Sequence, residues 1–125
     1  MSHALILDDD EIWRELLMEV VVDERYQPIE LARTLEEALA KSNQYRFDLY
    51  LCDGDFPDKW KMAARKCNFF NFYSQLLAID TNPNIVLVSA DEKNVARAQS
   101  MGLTAYLKNP FDEAGLRARI KLPHD

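Results

Sequence analysis

The feature that most constrains this chain is an alternation of short, unbroken apolar runs with segments of helical periodicity. Ala4-Leu5-Ile6-Leu7 is the first such run, and it stops at three aspartates, Asp8-Asp9-Asp10. A run that is apolar at every position suits a strand covered on both faces, as in a parallel sheet sandwiched by helices. Behind it Ile12, Trp13, Leu16, Leu17, Val20 and Val21 recur at helical spacing, with Glu11, Arg14, Glu15 and Glu19 on the polar face. The cycle then repeats. Ile29 to Ala32 reads as a second strand with Pro28 at its edge, and Thr34 with Glu37 has capping-box spacing, opening a helix through about Lys41. Asp48 to Cys52 is the third strand, and a third helix runs from about Phe69 to Ile79. Ile85 to Val88 is the most strand-like segment, and the helix after it, about Glu92 to Met101, stops at Gly102. Thr104 to Lys108 is the fifth strand, and Asp112 caps a last helix that ends before Pro123. Strands and helices in this order predict an α/β fold, a five-stranded parallel sheet wound on both sides.

At 125 residues the chain suits one domain, 1–125, either whole or excised from a longer chain. A hydrophobic content of 48% is globular, and no apolar run approaches the roughly 20 residues that span a bilayer. Met1-Ser2-His3 starts no signal peptide, and Cys52 and Cys67 have no metal or redox spacing. These features predict a cytoplasmic protein with reduced thiols. A net charge of −6 argues against nucleic-acid binding by this domain. The two histidines, His3 and His124, lie at the ends, which argues against histidine catalysis.

In doubly wound sheets ligands sit beyond the carboxyl ends of the strands. The residues there are Asp8, Asp9 and Asp10, then Asp53 and Asp55, then Ser89, then Lys108 and Asn109. Carboxylates converging on one point repel, at about 4 kcal/mol for a pair 4 Å apart at an effective dielectric near 20. A hard divalent cation relieves that repulsion, and Mg2+ favours a few carboxylates plus a phosphate. A carboxylate beside such a cation can attack a phosphoryl group and form an acyl phosphate. Taken singly, each piece has a plainer reading: Asp8-Asp9-Asp10 as helix-capping acids, Asp53-Gly54-Asp55 as a turn, Ser89 as a cap, Tyr106 as a packed aromatic.

Together they carry a resemblance. Leu5-Ile6-Leu7-Asp8-Asp9-Asp10 resembles the first strand and acidic pair of response-regulator receiver domains. Asp48 to Asp53, with Pro57 four places on, resembles the strand bearing the phosphorylated aspartate. Val86-Leu87-Val88-Ser89-Ala90 is similar to the strand ending in the hydroxyl residue, and Gly102 to Phe111 to the segment with the switch aromatic and the Lys-Pro pair. The resemblance implies a flavodoxin-like (βα)5 fold with Asp53 as phosphoacceptor. It implies Mg2+, or Mn2+, held by Asp8, Asp9 and Asp53 with the Asp55 backbone carbonyl. It makes Ser89 and Tyr106 the switch pair and implies a phosphohistidine donor on a sensor histidine kinase or phosphotransfer protein. It also implies a homodimer face on the fourth and fifth helices, and no catalysis beyond the domain's own phosphorylation and dephosphorylation.

Two departures stand out. Asn109 occupies the place of the lysine before the proline, and Lys108 is one residue early. A one-residue shift on a strand turns a side chain to the opposite face, so Lys108 is expected to miss the pocket and leave it more negative than usual. Asp58 to Lys66 reads as an inserted surface excursion with Trp60 as its candidate anchor. The missing lysine favours a rival, a phosphorylation-independent pseudo-receiver that serves as a protein-interaction module. A remoter alternative is a haloacid dehalogenase-like phosphatase, from the Asp53-Gly54-Asp55 pattern.

Overall fold

The computed structural model describes residues 2–56 and 69–122, so the expected excursion at Asp58 to Lys66, Trp60 and Cys67 lie outside the described residues. Five strands, β1 (Ala4–Leu7), β2 (Ile29–Ala32), β3 (Leu49–Asp53), β4 (Ile85–Ser89) and β5 (Thr104–Leu107), form one sheet. All pairings are parallel and the strand order is β2-β1-β3-β4-β5. The helices are α1 (Glu11–Asp23), α2 (Leu35–Gln44), α3 (Phe69–Leu76), α4 (Glu92–Ser100) and α5 (Glu113–Ile120). This is the doubly wound architecture that the alternation predicts, with α1, α3 and α4 each crossing between neighbouring parallel strands and α2 passing over β1.

Period-two alternation splits the core in two. Leu5, Leu7, Tyr50, Cys52, Ile85, Leu87 and Ala105 pack on one face against α2, α3 and α4. Ala4, Ile6, Leu49, Leu51, Val86 and Val88 pack on the other against Leu17, Val20 and Val21 of α1 and Leu116 and Ile120 of α5. Both faces are buried, which is why the central strands are apolar at every position. Phe69, Phe70 and Phe72 all belong to the first cluster, so this aromatic run packs the core.

The helix ends follow their local chemistry. Asp10, Asp91 and Asp112 cap α1, α4 and α5 by accepting from the N–H groups of Ile12, Lys93 and Gly115. The Thr34 hydroxyl accepts from Glu37 N–H, but Glu37 reaches back to Arg33 and not to the cap residue itself. Gly102, at φ +81°, ends α4 in a Schellman arrangement, with Leu103 N–H on the Ala98 carbonyl and Gly102 N–H on that of Gln99. Helix α3 stops at Leu76 and not Ile79, because Ala78 and Ile79 bond back three residues in a tighter turn.

Helix α1 corrects the sequence reading in two places. It packs through residues 13, 17, 20 and 21, which leaves Ile12 77% exposed on a face it was not expected to occupy. Arg14, expected on the polar face, is buried.

Candidate phosphoryl-acceptor site

The alternation that builds the core also aims the site. Leu7, Cys52 and Leu107 lie on the α2–α4 face, so the next residues of those three strands, Asp8, Asp53 and Lys108, turn to the α1/α5 face. At the carboxyl edge the carboxylate oxygens of Asp8, Asp9 and Asp53 come within 4.8 Å of one another. Lys108 Nζ lies 3.0 Å from Asp8 Oδ2 and 3.2 Å from Asp53 Oδ1. This overturns the expectation that Lys108 misses the pocket. Lys108 N–H still donates to the Ser89 carbonyl at 2.8 Å, so the strand alternation runs one residue past β5 and brings the ammonium in. Asn109, the replacement in the lysine position, is exposed. The expected surplus of negative charge is therefore offset by Lys108.

Surrounding groups hold the arrangement. The Lys108 ammonium sits 5.1 Å from the Trp13 ring centre, and Trp13 packs edge-on against Phe111. Arg14 Nη1 donates to the Asp8 backbone carbonyl at 3.1 Å. Sequence reasoning missed Arg14 and Trp13; the available signal was a cation one turn into the helix that follows an acidic run. Asp8 Oδ1 accepts from Asp10 N–H at 2.9 Å, and Asp53 Oδ1 from Gly54 N–H at 2.7 Å. Asp8 Oδ2 is buried and meets the Lys108 ammonium at 3.0 Å.

Burial, then repulsion from Asp8, raises the Asp53 carboxyl to about 7, against the pull of Lys108. Asp8 is raised as well, again by burial first, with Lys108 opposing. Burial lowers the Lys108 ammonium, but Asp53 and then Asp8 overcome this and leave it above its ordinary value. The pocket is thus an acidic cluster that Lys108, its one internal cation among the described residues, does not fully relieve. Three carboxylate oxygens within 4.8 Å of one another, two of them on buried side chains, fit a small hard cation. Asp55 is exposed and follows Gly54 directly.

The remaining expected residues lie around this centre. Ser89, at the end of β4, falls on the α2–α4 face, and its hydroxyl accepts from Asp91 N–H at 3.1 Å. Tyr106 packs with the α1/α5 cluster, and its hydroxyl donates to the Gly115 carbonyl at 3.1 Å. Cys52, beside Asp53, is fully buried; burial, then Asp53 and Asp8, push its thiol well above the ordinary range, which suits an inert core residue. No helix among the described residues is long and apolar enough to cross a membrane.

Comparison with known proteins bears on this geometry. The chain is similar to the sensory transduction protein LytR of Staphylococcus epidermidis, 29% identical over 119 residues. That match covers 94% of this chain but 44% of LytR, so the chain spans less than half the length of that relative. Among solved structures it resembles a CheY-like receiver domain protein from Methanospirillum hungatei, with TM-score 0.76 and 24% identity over 97% of this chain and 91% of that one. It also resembles a response regulator from Burkholderia pseudomallei solved with a phosphorylated aspartic acid, calcium ion and citrate. There the TM-score is 0.70 and the identity 17%, over 96% of this chain and 66% of that one. Both are likenesses of fold. A model of the response regulator receiver domain matches residues 4–121, nearly the full length, and the chain belongs to that family of regulatory domains of two-component systems.

Proposed function

We propose that this domain accepts a phosphoryl group on Asp53 from a phosphohistidine donor, in a Mg2+-dependent reaction, and changes its partner contacts in response. The observation that carries the reading is the placement of Lys108 Nζ between Asp8 and Asp53 at the carboxyl edge of the sheet. In this reading Oδ2 is the attacking oxygen, because Asp53 Oδ1 is engaged by Gly54 N–H and Lys108. The new bond joins Oδ2 to phosphorus as the phosphorus–nitrogen bond breaks, and the electron pair leaves with the donor imidazole. Asp8, Asp9 and Asp53, with the Asp55 backbone carbonyl, would hold the cation. When bound, the cation supplies the positive charge that three carboxylates and a phosphoryl group require. Lys108 then pairs with phosphoryl oxygens, and Ser89 and Tyr106 respond as the switch pair. The Burkholderia structure, which contains a phosphorylated aspartic acid and a calcium ion, supports a divalent site in this fold; Mn2+ fits the same donors.

The donor is expected on a sensor histidine kinase or phosphotransfer protein, and the α4–α5 surface is the candidate homodimer face. The pseudo-receiver reading drew on the absent lysine charge, and with Lys108 in the pocket it loses that support. The phosphatase alternative finds no support in the family match. Incubation with acetyl phosphate and Mg2+, followed by intact-mass measurement, tests the proposal. The expected result is a gain of one phosphoryl group that Asp53→Asn and EDTA both abolish. No gain in the folded wild-type protein overturns it.

A further inference from the structure

Gly54 follows Asp53 directly, and its φ is not in the left-handed region that calls for glycine. Its backbone suits any residue, so the reason for glycine lies in space. Gly54 and Ser89 are the residues that strand alternation turns to the α2–α4 face at the ends of adjacent strands β3 and β4. A Cβ on Gly54 would stand 2.5 Å from Ser89 Oγ, 3.0 Å from Ser89 Cβ and 3.0 Å from Asn94 Nδ2. The first distance is one that real contacts do not allow. The room a side chain would take at position 54 is occupied by the Ser89 hydroxyl.

The walls of this niche are fixed. Gly54 N–H is held by Asp53 Oδ1 at 2.7 Å, and its carbonyl accepts from Phe69 N–H at 3.2 Å. The Ser89 carbonyl is held by Lys108 N–H at 2.8 Å, and its hydroxyl by Asp91 N–H at 3.1 Å. Asn94, from the first turn of α4, closes the far side. It is 8% exposed, and its Nδ2 is buried without a hydrogen-bond partner among the described residues. With both backbones pinned and Asn94 packed behind, the soft coordinate is the Ser89 χ1 torsion, which has three staggered wells.

We propose that Gly54 is a positioning residue of the switch: its missing side chain is the resting berth of the Ser89 hydroxyl, and a side chain there would drive the hydroxyl out of that berth toward Asp53. The proposal rests on the reading of Asp53 as phosphoacceptor and Ser89 as its hydroxyl partner, and adds what holds Ser89 in its resting state. The consequence is one of population. A ligand's apparent affinity is reduced by the fraction of protein in the competent state, so removal of the berth raises that affinity without a new contact to the ligand.

The test uses beryllofluoride with Mg2+ as phosphoryl mimic, on wild type, Gly54→Ala and Gly54→Ala/Ser89→Ala. Ser89 χ1 is read from side-chain coupling constants in the unliganded proteins. In wild type one χ1 well should dominate; in Gly54→Ala that well should empty. The mimic should then bind Gly54→Ala roughly three- to ten-fold more tightly than wild type, and the gain should vanish when Ser89 is also alanine. An unchanged χ1 in Gly54→Ala, or equal or weaker mimic binding where wild type binds, overturns the proposal. If wild type binds no mimic, the phosphoacceptor reading fails, and the χ1 measurement still decides the berth. If Gly54→Ala does not fold, Gly54→Ala/Ser89→Gly, which deletes both the 2.5 Å conflict with the hydroxyl and the 3.0 Å approach to Ser89 Cβ, must regain the fold; failure to regain it overturns the proposal.

Discussion

In the middle of each central strand the side chains are apolar on both faces and fully buried, as with Leu5, Ile6, Leu51 and Leu87. Two or three residues on, at the carboxyl edge, the same alternation delivers Asp8, Asp53 and Lys108 to one face and Gly54 and Ser89 to the other. The pairing and its register are continuous between the two regions, yet their energetics are opposed. Burial of the interior removes apolar surface from water and stabilises the fold. Burial of the edge strips water from carboxylates, and the raised Asp53 and Asp8 carboxyls record the resulting strain on the charged forms. One geometric rule therefore builds both the part that stabilises the domain and the part that is poised to bind a cation and a phosphoryl group.

The largest effect should come from the interior. Leu51, fully buried between β1 and β4, belongs to the α1/α5 cluster. Leu51→Ala is expected to destabilise the domain by about 3 kcal/mol, through lost transfer energy plus the cavity. Urea denaturation with and without Mg2+ should give the same loss. A loss that Mg2+ largely repairs would mean that interior and edge are not separable.

At the edge, Lys108→Met leaves two buried carboxylates without their shared cation. Removal of one partner of a buried ion pair costs about 3–5 kcal/mol. About 2 kcal/mol is expected here near pH 8, because Asp53 can partly escape by taking a proton. Unlike the Leu51 deficit, this one should be recovered in millimolar Mg2+. If Mg2+ restores nothing, the acidic cluster is not a cation site.

The pH dependence has a definite sign. An unfolded aspartate releases its proton near 3.8, whereas Asp53 in the folded domain holds its proton up to about 7. Between these values the folded state binds more protons, so rising pH favours unfolding. This contribution to stability is complete below about pH 4 and is lost as pH climbs through 7; Asp8 adds to it with the same sign. In EDTA, Asp53→Asn should flatten that decline and leave the variant more stable than wild type by about 1–2 kcal/mol at pH 8. Chemical denaturation from pH 5 to 8 checks this, and a wild-type curve that rises with pH over that window contradicts it.

How far the sequence could be read divides along the same line. Ala4 to Leu7, Asp48 to Asp53 and Ile85 to Ser89 were legible because a strand buried on both faces leaves an unbroken apolar run that stops where the sheet meets solvent. The expected acidic residues stand at that boundary because the end of the run marks it. Lys108 was misplaced for a different reason. Counting back from Pro110 assumes that the family's lysine position faces the pocket, whereas counting forward from Leu107, which packs on the α2–α4 face, gives the observed orientation. Arg14 was passed over because helical periodicity assigns a charged residue to the solvent side, and that outweighed the local signal of a cation one turn beyond an acidic run. The role of Gly54 could not be read either, since the conflict it avoids is with Ser89 and Asn94, more than thirty residues away.

The smallest effect separates Lys108 from its neighbour. Asn109 is exposed, one residue beyond the ammonium that reaches both carboxylates. If the alternation through Leu107 and Lys108 is the one that operates in solution, residue 109 turns away from the pocket, and its charge reaches the site only through water and salt. Asn109→Lys should then change stability by less than about 0.5 kcal/mol, as surface substitutions usually do. It should also leave the amide shifts that beryllofluoride induces around Ser89 and Tyr106 unchanged, because a group that does not discriminate between two states cannot move their balance. Lys108→Met, in the same experiment, should shrink those shifts. The reverse outcome, a larger response with Asn109→Lys and none lost with Lys108→Met, would mean that the chain slips by one residue at the end of β5 when the phosphoryl mimic binds. The lysine position would then be set by distance from Pro110 and not by the alternation that builds the core.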